Sequence, residues 1–414
     1  MNIDNFTKVC IVGCGKSGFS LCNLLLSLKK QVRLTELKER EYFNTNLISK
    51  FETKGVTFEF GGHSDKFIED CDLVILSPGV DAIKSPVAKF ANITGIPCVG
   101  EVEFCFWLTQ AKFIAITGTN GKTTTTFLTY RVLRQKRKRV FLGGNIGIPI
   151  SSFILDARKT DLIVLELSSF QLESIMKFKP FVAALLNIEP NHLDRHANFK
   201  EYFEAKMNIF KNQDKNDWAV LNKNINFFND IKNRLRSQIV LFSSEFPNEN
   251  YSCVYKIAKI FGVTQLDCEK VFLSFKGIPH RLQTVREVKG ITFVNDSKST
   301  NPSSTVWALK NTKGPLILIA GGKDKGVDYS SIRPYLNSVR KVNLFGQAAQ
   351  KIKGSLNPHI KVEVYPSLRE VVYSSFREAN PGDTVLLSPM CSSFDMFSNY
   401  MERGRKFIEI VNSL

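Results

Sequence analysis

A loop rich in glycine and threonine follows an apolar strand and precedes a helical stretch, and its residues are Gly118, Thr119, Asn120, Gly121, Lys122, Thr123 and Thr124. Glycines let backbone N–H groups turn towards phosphate oxygens, and the N-terminus of the helix adds its dipole. Lys122 supplies a cation, and the Thr123 hydroxyl suits Mg²⁺. Ile116 stands where the strict Walker spacing has a small residue, so this is a variant P-loop. The segment predicts ATP or GTP binding in a strand–loop–helix unit; a plain glycine–threonine turn is the alternative.

Short apolar strands alternate with amphipathic helices along the chain, which is typical of α/β folds with parallel sheets. The alternation starts again near Phe113 and once more after the sequence Gly277-Ile278-Pro279-His280. Single cores stop growing at roughly 250 to 300 residues, so a chain of 414 residues is expected to form about three domains. We place them at residues 1–100, 101–278 and 279–414.

Two candidate ligands follow strands downstream of the loop. Glu166 lies near the carboxyl end of the apolar segment 162–167, and His192 follows the next apolar segment, 182–186. In open α/β sheets ligand sites gather at the carboxyl ends of strands, so both side chains could reach a metal held by a triphosphate. A buried ion pair for Glu166 and a structural role for His192 are the alternatives.

The sequence Gly13-Cys14-Gly15-Lys16-Ser17-Gly18 matches Gly-x-Gly-x-x-Gly after a strand, and Glu36 ends the next strand at about the spacing of a ribose-binding acid. Alone, this motif is typical of a dinucleotide dehydrogenase. Because the same turn can receive any diphosphate, a substrate linked to a nucleoside diphosphate would account for both this motif and the separate ATP loop. A merely structural strand–helix turn is the alternative.

Composition and charge limit the partners and the kinds of site that we expect. Lys and Arg number 56 against 39 Asp and Glu, a net charge of +17 that favours anionic partners such as nucleotides, nucleic acids or anionic lipids. There is no basic stripe interleaved with aromatics, and the run 134–139 is typical of the solvated end of a helix, so we expect no nucleic-acid partner.

Nine scattered cysteines without a Cys-x-x-Cys pair favour neither a disulfide framework nor a zinc site. No apolar stretch reaches the length of a membrane span, and we expect a cytoplasmic protein.

The chain resembles the Mur ligase family of peptidoglycan synthesis in residues 117–124, 143–147, 166–172, 191–196 and 279–281. Three further segments, 77–80, 295–301 and 388–395, resemble the branch of the family that adds D-glutamate. The resemblance spans nearly the whole chain. It implies a Rossmann-like first domain that binds a UDP substrate, a P-loop NTPase-like second domain with a parallel sheet that binds ATP, and a Rossmann-like third domain that binds the amino acid. The implied reaction is ATP-dependent addition of D-glutamate to UDP-N-acetylmuramoyl-L-alanine through an acyl phosphate, and we expect a monomer.

The resemblance also implies roles residue by residue. The implied catalytic residues are Lys122, Glu166, His192, Lys206 and Lys298. Two Mg²⁺ ions are expected on Thr123, Glu166, His192 and a CO₂-derived carbamate on Lys206, although composition alone makes Lys206 a solvated helix lysine. ATP is assigned to residues 118–124 with Arg281 and Asp296. The UDP substrate is assigned to Lys16, Ser17, Glu36, Gly79 and Asn145, and D-glutamate to Thr300, Lys325, Ser393 and Tyr400.

Three positions depart from the family pattern. Tyr400 stands where Phe is common, Glu249 where a histidine is usual, and Cys253 where a second asparagine is usual. Contacts on the adenine side are therefore expected to differ. Two other functions stay open: another amide-forming ligase of Mur or folylpolyglutamate type and, in a different class, a basic P-loop ATPase that binds nucleic acid.

Overall fold

The computed structural model describes residues 3–189, 196, 198–275, 277–324 and 326–414. The chain forms two compact units, one ending at Ser274 and one beginning at Phe275. The first unit holds two parallel sheets and the second holds one mixed sheet, which confirms the predicted α/β class. Within the described residues, no helix is both long enough and apolar enough to cross a membrane.

The first sheet has five parallel strands in the order β3-β2-β1-β4-β5. Its strands are β1 (Lys8–Val12), β2 (Gln31–Glu36), β3 (Thr57–Phe60), β4 (Leu73–Leu76) and β5 (Cys98–Gly100). Its helices are α1 (Lys16–Ser27), α2 (Thr45–Glu52), α3 (Asp65–Ile68), α4 (Pro86–Thr94) and α5 (Glu101–Trp107). Every residue of β4 is buried, as expected for a parallel strand covered on both faces. The strand order reverses between β1 and β4, where a ligand crevice is expected.

The second sheet has six parallel strands in the order β11-β10-β9-β6-β8-β7. Its strands are β6 (Lys112–Thr117), β7 (Val140–Gly144), β8 (Leu162–Glu166), β9 (Val182–Leu185), β10 (Trp218–Asn222) and β11 (Gln238–Phe242). Its helices are α6 (Lys122–Leu133), α7 (Ser169–Glu173), α8 (Phe199–Met207), α9 (Phe228–Arg234), α10 (Glu249–Ile260) and α11 (Gln265–Leu273). Because β6 lies between β8 and β9, the P-loop leaves the sheet beside the carboxyl ends of both neighbours.

Helix α5 connects the two sheets of the first unit through two buried carboxylates. Glu103 accepts four hydrogen bonds of 2.7–2.8 Å, from the indole N–H of Trp107 and from the backbone N–H groups of residues 176–178. Glu101 accepts from both the backbone N–H and the hydroxyl of Ser151. Buried carboxylates are tolerated only when donors satisfy them, so these bonds fix α5 against the elements of the second sheet.

The sheet of the second unit has the order β12-β13-β17-β14-β15-β16. Its strands are β12 (Gln283–Val288), β13 (Ile291–Asn295), β14 (Leu316–Gly321), β15 (Val339–Phe345), β16 (Lys361–Tyr365) and β17 (Thr384–Leu387). Its helices are α12 (Pro302–Asn311), α13 (Ala349–Ser355), α14 (Leu368–Glu378) and α15 (Tyr400–Asn412). Strand β12 runs antiparallel to β13, and all other pairs are parallel. Strand β12 lies at the edge of the sheet and has one buried residue among six, so it does not stand out in the sequence as an apolar run.

Candidate functional site

The loop between β6 and α6 needs glycine at two points. Gly118 and Gly121 have φ values of +156° and +79°, and a Cβ on Gly121 would overlap the side-chain oxygen of Asn250. Lys122 opens α6, and its Nζ donates to the carbonyl oxygens of Gly118 and Thr119, both at 2.8 Å. The N-terminus of α6 has no side-chain cap hydrogen bond, as in helices that bind anions. The predicted phosphate loop therefore has the required backbone path and a cation lying against it.

Asn187, just after β9, forms hydrogen bonds to this loop from the neighbouring strand. Its Oδ1 accepts from the backbone N–H groups of Thr119 at 3.0 Å and Asn120 at 2.8 Å. Its Nδ2 donates to the Asn120 carbonyl at 3.2 Å, and the Thr119 hydroxyl lies 3.1 Å from the Tyr202 hydroxyl. The sequence analysis missed Asn187 as a site residue. Asn187 could have been identified from its position, since it is the first polar residue after an apolar strand that lies beside the P-loop strand.

Lys206, in α8, is 1% exposed, so the expectation of a solvated lysine from composition is wrong. Its Nζ donates to the Gly118 carbonyl at 2.9 Å and to the Thr117 hydroxyl at 3.4 Å. Burial, and secondly the nearby Lys122 ammonium, hold the pKa of Lys206 well below its usual value, while Glu166 acts in the opposite direction. Burial beside a second cation favours the neutral amine. That is the form of lysine that reacts with CO₂.

Glu166 ends β8 and pairs in register with Ile116 of β6, beside the loop. It is 1% exposed. Asn145 donates its Nδ2 to Glu166 Oε1 at 2.8 Å and its backbone N–H to the Glu166 carbonyl at 2.9 Å. A Cβ on Gly144 would overlap that carbonyl, so glycine allows the close approach of the two strands. The structure thus brings into direct contact two residues that were predicted for different ligands.

The donor set fits Mg²⁺ bound together with a nucleotide. Across the described parts of the chain, no three His, Cys, Asp or Glu side chains form a metal cluster. Thr123, buried in the first turn of α6, and Glu166 leave most of the coordination shell to phosphate oxygens and water, as Mg²⁺ prefers. His192 lies outside the described residues. His196 is described, and its Nε2 lies 3.0 Å from the Ser169 hydroxyl.

The glycine-rich turn after β1 meets the loop after β4 at the reversal of strand order. A Cβ on Gly18 would overlap the Gly13 carbonyl, so the third glycine of the motif permits close packing of α1 on β1. The Ser77 hydroxyl donates to the same carbonyl at 3.2 Å. Glu36 closes the turn, accepting from the backbone N–H of Cys14 at 2.8 Å.

The other residues predicted for the UDP substrate lie around this turn. Lys16 and Ser17 open α1, and Gly79 lies in the loop after β4. Lys16 and Gly79 are exposed. The structure therefore gathers four of the five predicted residues at the carboxyl edge of the first sheet, whereas Asn145 lies at the carboxyl edge of the second.

Asp296 follows β13 in the second unit and is 4% exposed. It accepts from the hydroxyls of Ser299 and Ser388, the latter at 3.0 Å, and from the backbone N–H of Leu282 at 3.2 Å. Burial raises the pKa of Asp296 to about 6, although these hydrogen bonds and Arg281 oppose the rise. A carboxyl that titrates this close to neutrality at a strand end is a candidate site group.

The described residues among those predicted for D-glutamate follow strands β13 and β17. Thr300 precedes α12, and Ser393 follows β17 and is 2% exposed. Tyr400 opens α15, and Lys298 Nζ lies 5.4 Å from the centroid of its ring. Because a Phe ring offers the same face, this contact does not depend on the Tyr hydroxyl. Lys325 lies outside the described residues.

Arg403, in α15, was not predicted, yet it is fully buried and holds these strand ends together. Its Nε donates to the Ser297 hydroxyl at 3.0 Å, and its Nη2 donates to the carbonyls of Ser297 at 2.8 Å and Cys391 at 3.1 Å. Longer contacts from Nη1 reach the carbonyls of Gly321 and Ser392. The guanidinium thus touches the last residue of β14 and the loops after β13 and β17 at once.

Two of the three positions that depart from the family pattern, Glu249 and Cys253, lie in α10. Beside Glu249, the Asn250 Oδ1 accepts from the Thr125 hydroxyl at 3.3 Å. Glu249 accepts from the Asn222 side chain at 3.0 Å. Cys253 is fully buried, so its side chain belongs to the packing of α10.

Family models match three stretches of the chain: a Mur ligase MurD-like N-terminal domain at residues 7–100, a Mur ligase middle domain at 116–278, and a Mur ligase glutamate ligase domain at 280–391. The UDP-N-acetylmuramoylalanine--D-glutamate ligase of Thermoanaerobacter sp. (strain X514) is 36% identical over 448 residues, covering 98% of both chains. The chain belongs to the Mur ligase family. The ligase of the same name from Lawsonia intracellularis is 37% identical over 420 residues, covering 98% of this Mur ligase and 94% of the relative.

Solved structures share the Mur ligase fold at lower identity. The UDP-N-acetylmuramate-alanine ligase MurC from Thermotoga maritima aligns with a TM-score of 0.62 at 17% identity, covering 99% of both chains. The MurF ligase from Thermotoga maritima, solved in complex with ADP, also aligns with a TM-score of 0.62 at 17% identity, covering 92% of this chain and 94% of that one. At these identities the likeness shows the fold alone.

Proposed function

We propose that this Mur ligase joins D-glutamate to UDP-N-acetylmuramoyl-L-alanine, with ATP activating the acceptor carboxylate as an acyl phosphate. The observation that carries the proposal is 36% identity, over 98% of the chain, to a protein named for this ligation. The D-glutamate amine would then attack the activated carbonyl and displace phosphate.

The nucleotide end of the site has to bring a carboxylate against a polyphosphate. At about 4 Å, two unit charges repel by roughly 4 kcal/mol at an effective dielectric near 20. The Lys122 ammonium, held 2.8 Å from two carbonyls of the loop, lies where it offsets that repulsion. Thr123 and Glu166, with His192 and a carbamate on Lys206, are the proposed Mg²⁺ ligands. When bound, Mg²⁺ supplies Lewis-acid neutralisation of the phosphate charge.

Carbamylation of Lys206 is supported by its burial and by the Lys122 cation that disfavours its protonated form. The neutral amine adds to CO₂, and one proton leaves, so an ammonium is replaced by an anion. NMR with ¹³C-labelled bicarbonate should show a carbamate resonance. It should disappear in Lys206→Ala and persist in Lys200→Ala, which changes an exposed lysine of the same helix. Loss of the resonance in both variants, or its absence from the parent protein, would contradict the carbamate.

The remaining roles follow the clusters at the strand ends. Lys16, Ser17, Glu36 and Gly79 are proposed to hold the UDP portion, and Asn145 the muramoyl portion. Arg281, Asp296 and Lys298 are proposed to bind the nucleotide. For D-glutamate the proposed ligands are Thr300, Lys325, Ser393 and Tyr400, because cationic and hydroxyl donors suit a dianion.

Release of phosphate from ATP tests the function. The protein is incubated with UDP-N-acetylmuramoyl-L-alanine and, in turn, D-glutamate, L-glutamate, L-lysine or diaminopimelate. We expect phosphate release and a new amide product with D-glutamate alone. Release with a different amino acid would assign another ligase reaction, and release that needs neither the UDP substrate nor an amino acid would indicate a simple ATPase.

A further inference from the structure

A basic surface lies at the end of α6 that is remote from the P-loop. Helix α6 ends at Leu133, and the next six residues, 134–139, are all exposed and include five cations. Two contacts join this region to α11. Lys136 Nζ lies 3.3 Å from Asp267 near the start of α11, and Arg131 donates to the Ser274 hydroxyl, just past its end, at 3.1 Å. The cations of this region therefore flank α11 along its length.

Helix α11 presents leucines to solvent between these cations. Leu266 and Leu273 are 60% and 90% exposed. They are seven residues apart, about two helical turns, so they share one face of the helix, and exposed Lys270 lies between them. The residues of α11 that are buried in the protein are Cys268, Val271 and Phe272. Helix α11 is therefore already packed through one face, while its outer face carries Leu266, Lys270 and Leu273, with the half-buried Glu269 beside them.

We propose that this surface binds peripherally to bilayers that contain anionic phospholipids. We call the surface the α6–α11 patch, and its residues are Arg134, Lys136, Arg137, Lys138, Leu266, Lys270 and Leu273. Cations near a bilayer are attracted to anionic headgroups, and aliphatic side chains enter the boundary between headgroups and acyl chains. Single-stranded nucleic acid instead requires exposed aromatic rings on which bases stack. The exposed apolar side chains of the patch are leucines, which favours a lipid surface.

Docking through the patch would leave the P-loop accessible. Helix α6 has 12 residues, so its two ends are about 18 Å apart at 1.5 Å per residue. The P-loop enters α6 at one end, and the patch begins at the other. Because the attraction is electrostatic and the leucines are few, binding is reversible and sensitive to salt.

Co-sedimentation of the full chain with vesicles tests the patch. Vesicles of phosphatidylcholine are compared with vesicles that also contain about 30 mol% phosphatidylglycerol, at about 0.1 M and about 0.5 M salt. We expect at least roughly tenfold tighter binding to the anionic vesicles at low salt and loss of that preference at high salt. Arg137→Glu with Lys138→Glu should abolish the preference. Lys211→Glu with Lys215→Glu, the same charge change at exposed lysines outside the patch, should retain most of it.

Insertion of the leucines has its own readout. Trp at position 266 (Leu266→Trp) should shift its fluorescence to shorter wavelength with anionic vesicles and not with phosphatidylcholine alone, and Leu266→Ser with Leu273→Ser should weaken sedimentation. Circular dichroism checks that each variant is folded. Equal binding to both vesicle types, or equal loss in the patch and control charge variants, would overturn the proposal. Tighter binding to single-stranded DNA than to anionic vesicles, lost in the same patch variants, would also overturn it and assign the patch to nucleic acid.

Discussion

Replacing Arg403 with methionine should loosen the proposed D-glutamate site while leaving the rest of the chain folded. Three of its hydrogen bonds are 3.1 Å or shorter, and two of them end on carbonyls, of Ser297 and Cys391. Each buried acceptor left without a partner costs about 1–3 kcal/mol, whereas the Ser297 hydroxyl can rotate to another partner. The two carbonyls therefore predict a loss of about 3 kcal/mol, or roughly a hundredfold in the local opening equilibrium.

Hydrogen–deuterium exchange measures this opening segment by segment. Residues 296–301, 321–324 and 388–395 should exchange roughly a hundredfold faster in Arg403→Met, and the second sheet of the first unit should be unchanged. Arg403→Lys should lie between the two, because one ammonium cannot reproduce the planar fork. The KM for D-glutamate should rise more than the KM for ATP.

Arg405→Met is the matched control, since Arg405 is an exposed arginine of the same helix. Unchanged exchange in Arg403→Met, or equal effects in Arg403→Met and Arg405→Met, would refute the role of the guanidinium in holding the three loops. Faster exchange with an unchanged KM for D-glutamate would show that opening of these loops does not affect the binding of this substrate.

Four further outcomes are expected. Lys122→Ala should keep its circular dichroism spectrum and lose ATP turnover by roughly 10²-fold or more, and undiminished ATP consumption would remove the P-loop assignment. Glu166→Ala should lose activity to a similar extent, and full restoration of the rate by added Mg²⁺ alone would contradict a direct catalytic role. Lys206→Ala should retain ATP affinity and be partly rescued by short carboxylic acids, whereas a wild-type rate in Lys206→Arg would contradict the carbamate. Because Asp296 has a raised pKa of about 6 in the folded chain, it binds a proton more readily there than when unfolded. Its ionisation should therefore lower the free energy of unfolding by roughly 3 kcal/mol as pH rises from about 4 to about 6, and Asp296→Asn should remove that slope in chemical denaturation curves.

Short sequence patterns predicted some of the buried strands, although the buried strands β10 and β13 were not among them. Strands β4 and β17 stand out in the sequence as short, mainly apolar runs, because a parallel strand covered on both faces is buried throughout. The P-loop could also be recognised in the sequence, since its glycines, lysine and hydroxyls are consecutive. The edge strand β12 could not be recognised in this way, because one of its sides meets solvent and its residues are both polar and apolar.

Residues that act across long sequence separations could not be derived from local patterns. Asn187 contacts a loop 67 residues away, and Arg403 donates to Ser297 across 106 residues. Nothing in a window around either residue reveals the partner, because the partner is set by which strands are neighbours in the sheet. Lys206 shows the limit most clearly. Its local sequence is that of an exposed helix lysine, and only the family resemblance pointed to a role in the site; the structure adds that the side chain is buried.

The proposed carbamate on Lys206 would reverse the sign of the charge beside the P-loop. Lys122 carries a positive charge, Glu166 a negative one, and Lys206 interacts with both. With Lys206 protonated the three groups have a net positive charge, which attracts a polyphosphate but repels a second cation. With Lys206 as a carbamate their net charge is negative, which suits divalent cations carried in with the nucleotide. A glutamate at this position would give the same charge on a shorter side chain, and an arginine would keep the wrong sign. The long lysine side chain reaches the Gly118 carbonyl, and burial favours its neutral form, which would gain a negative charge in the proposed reaction with CO₂.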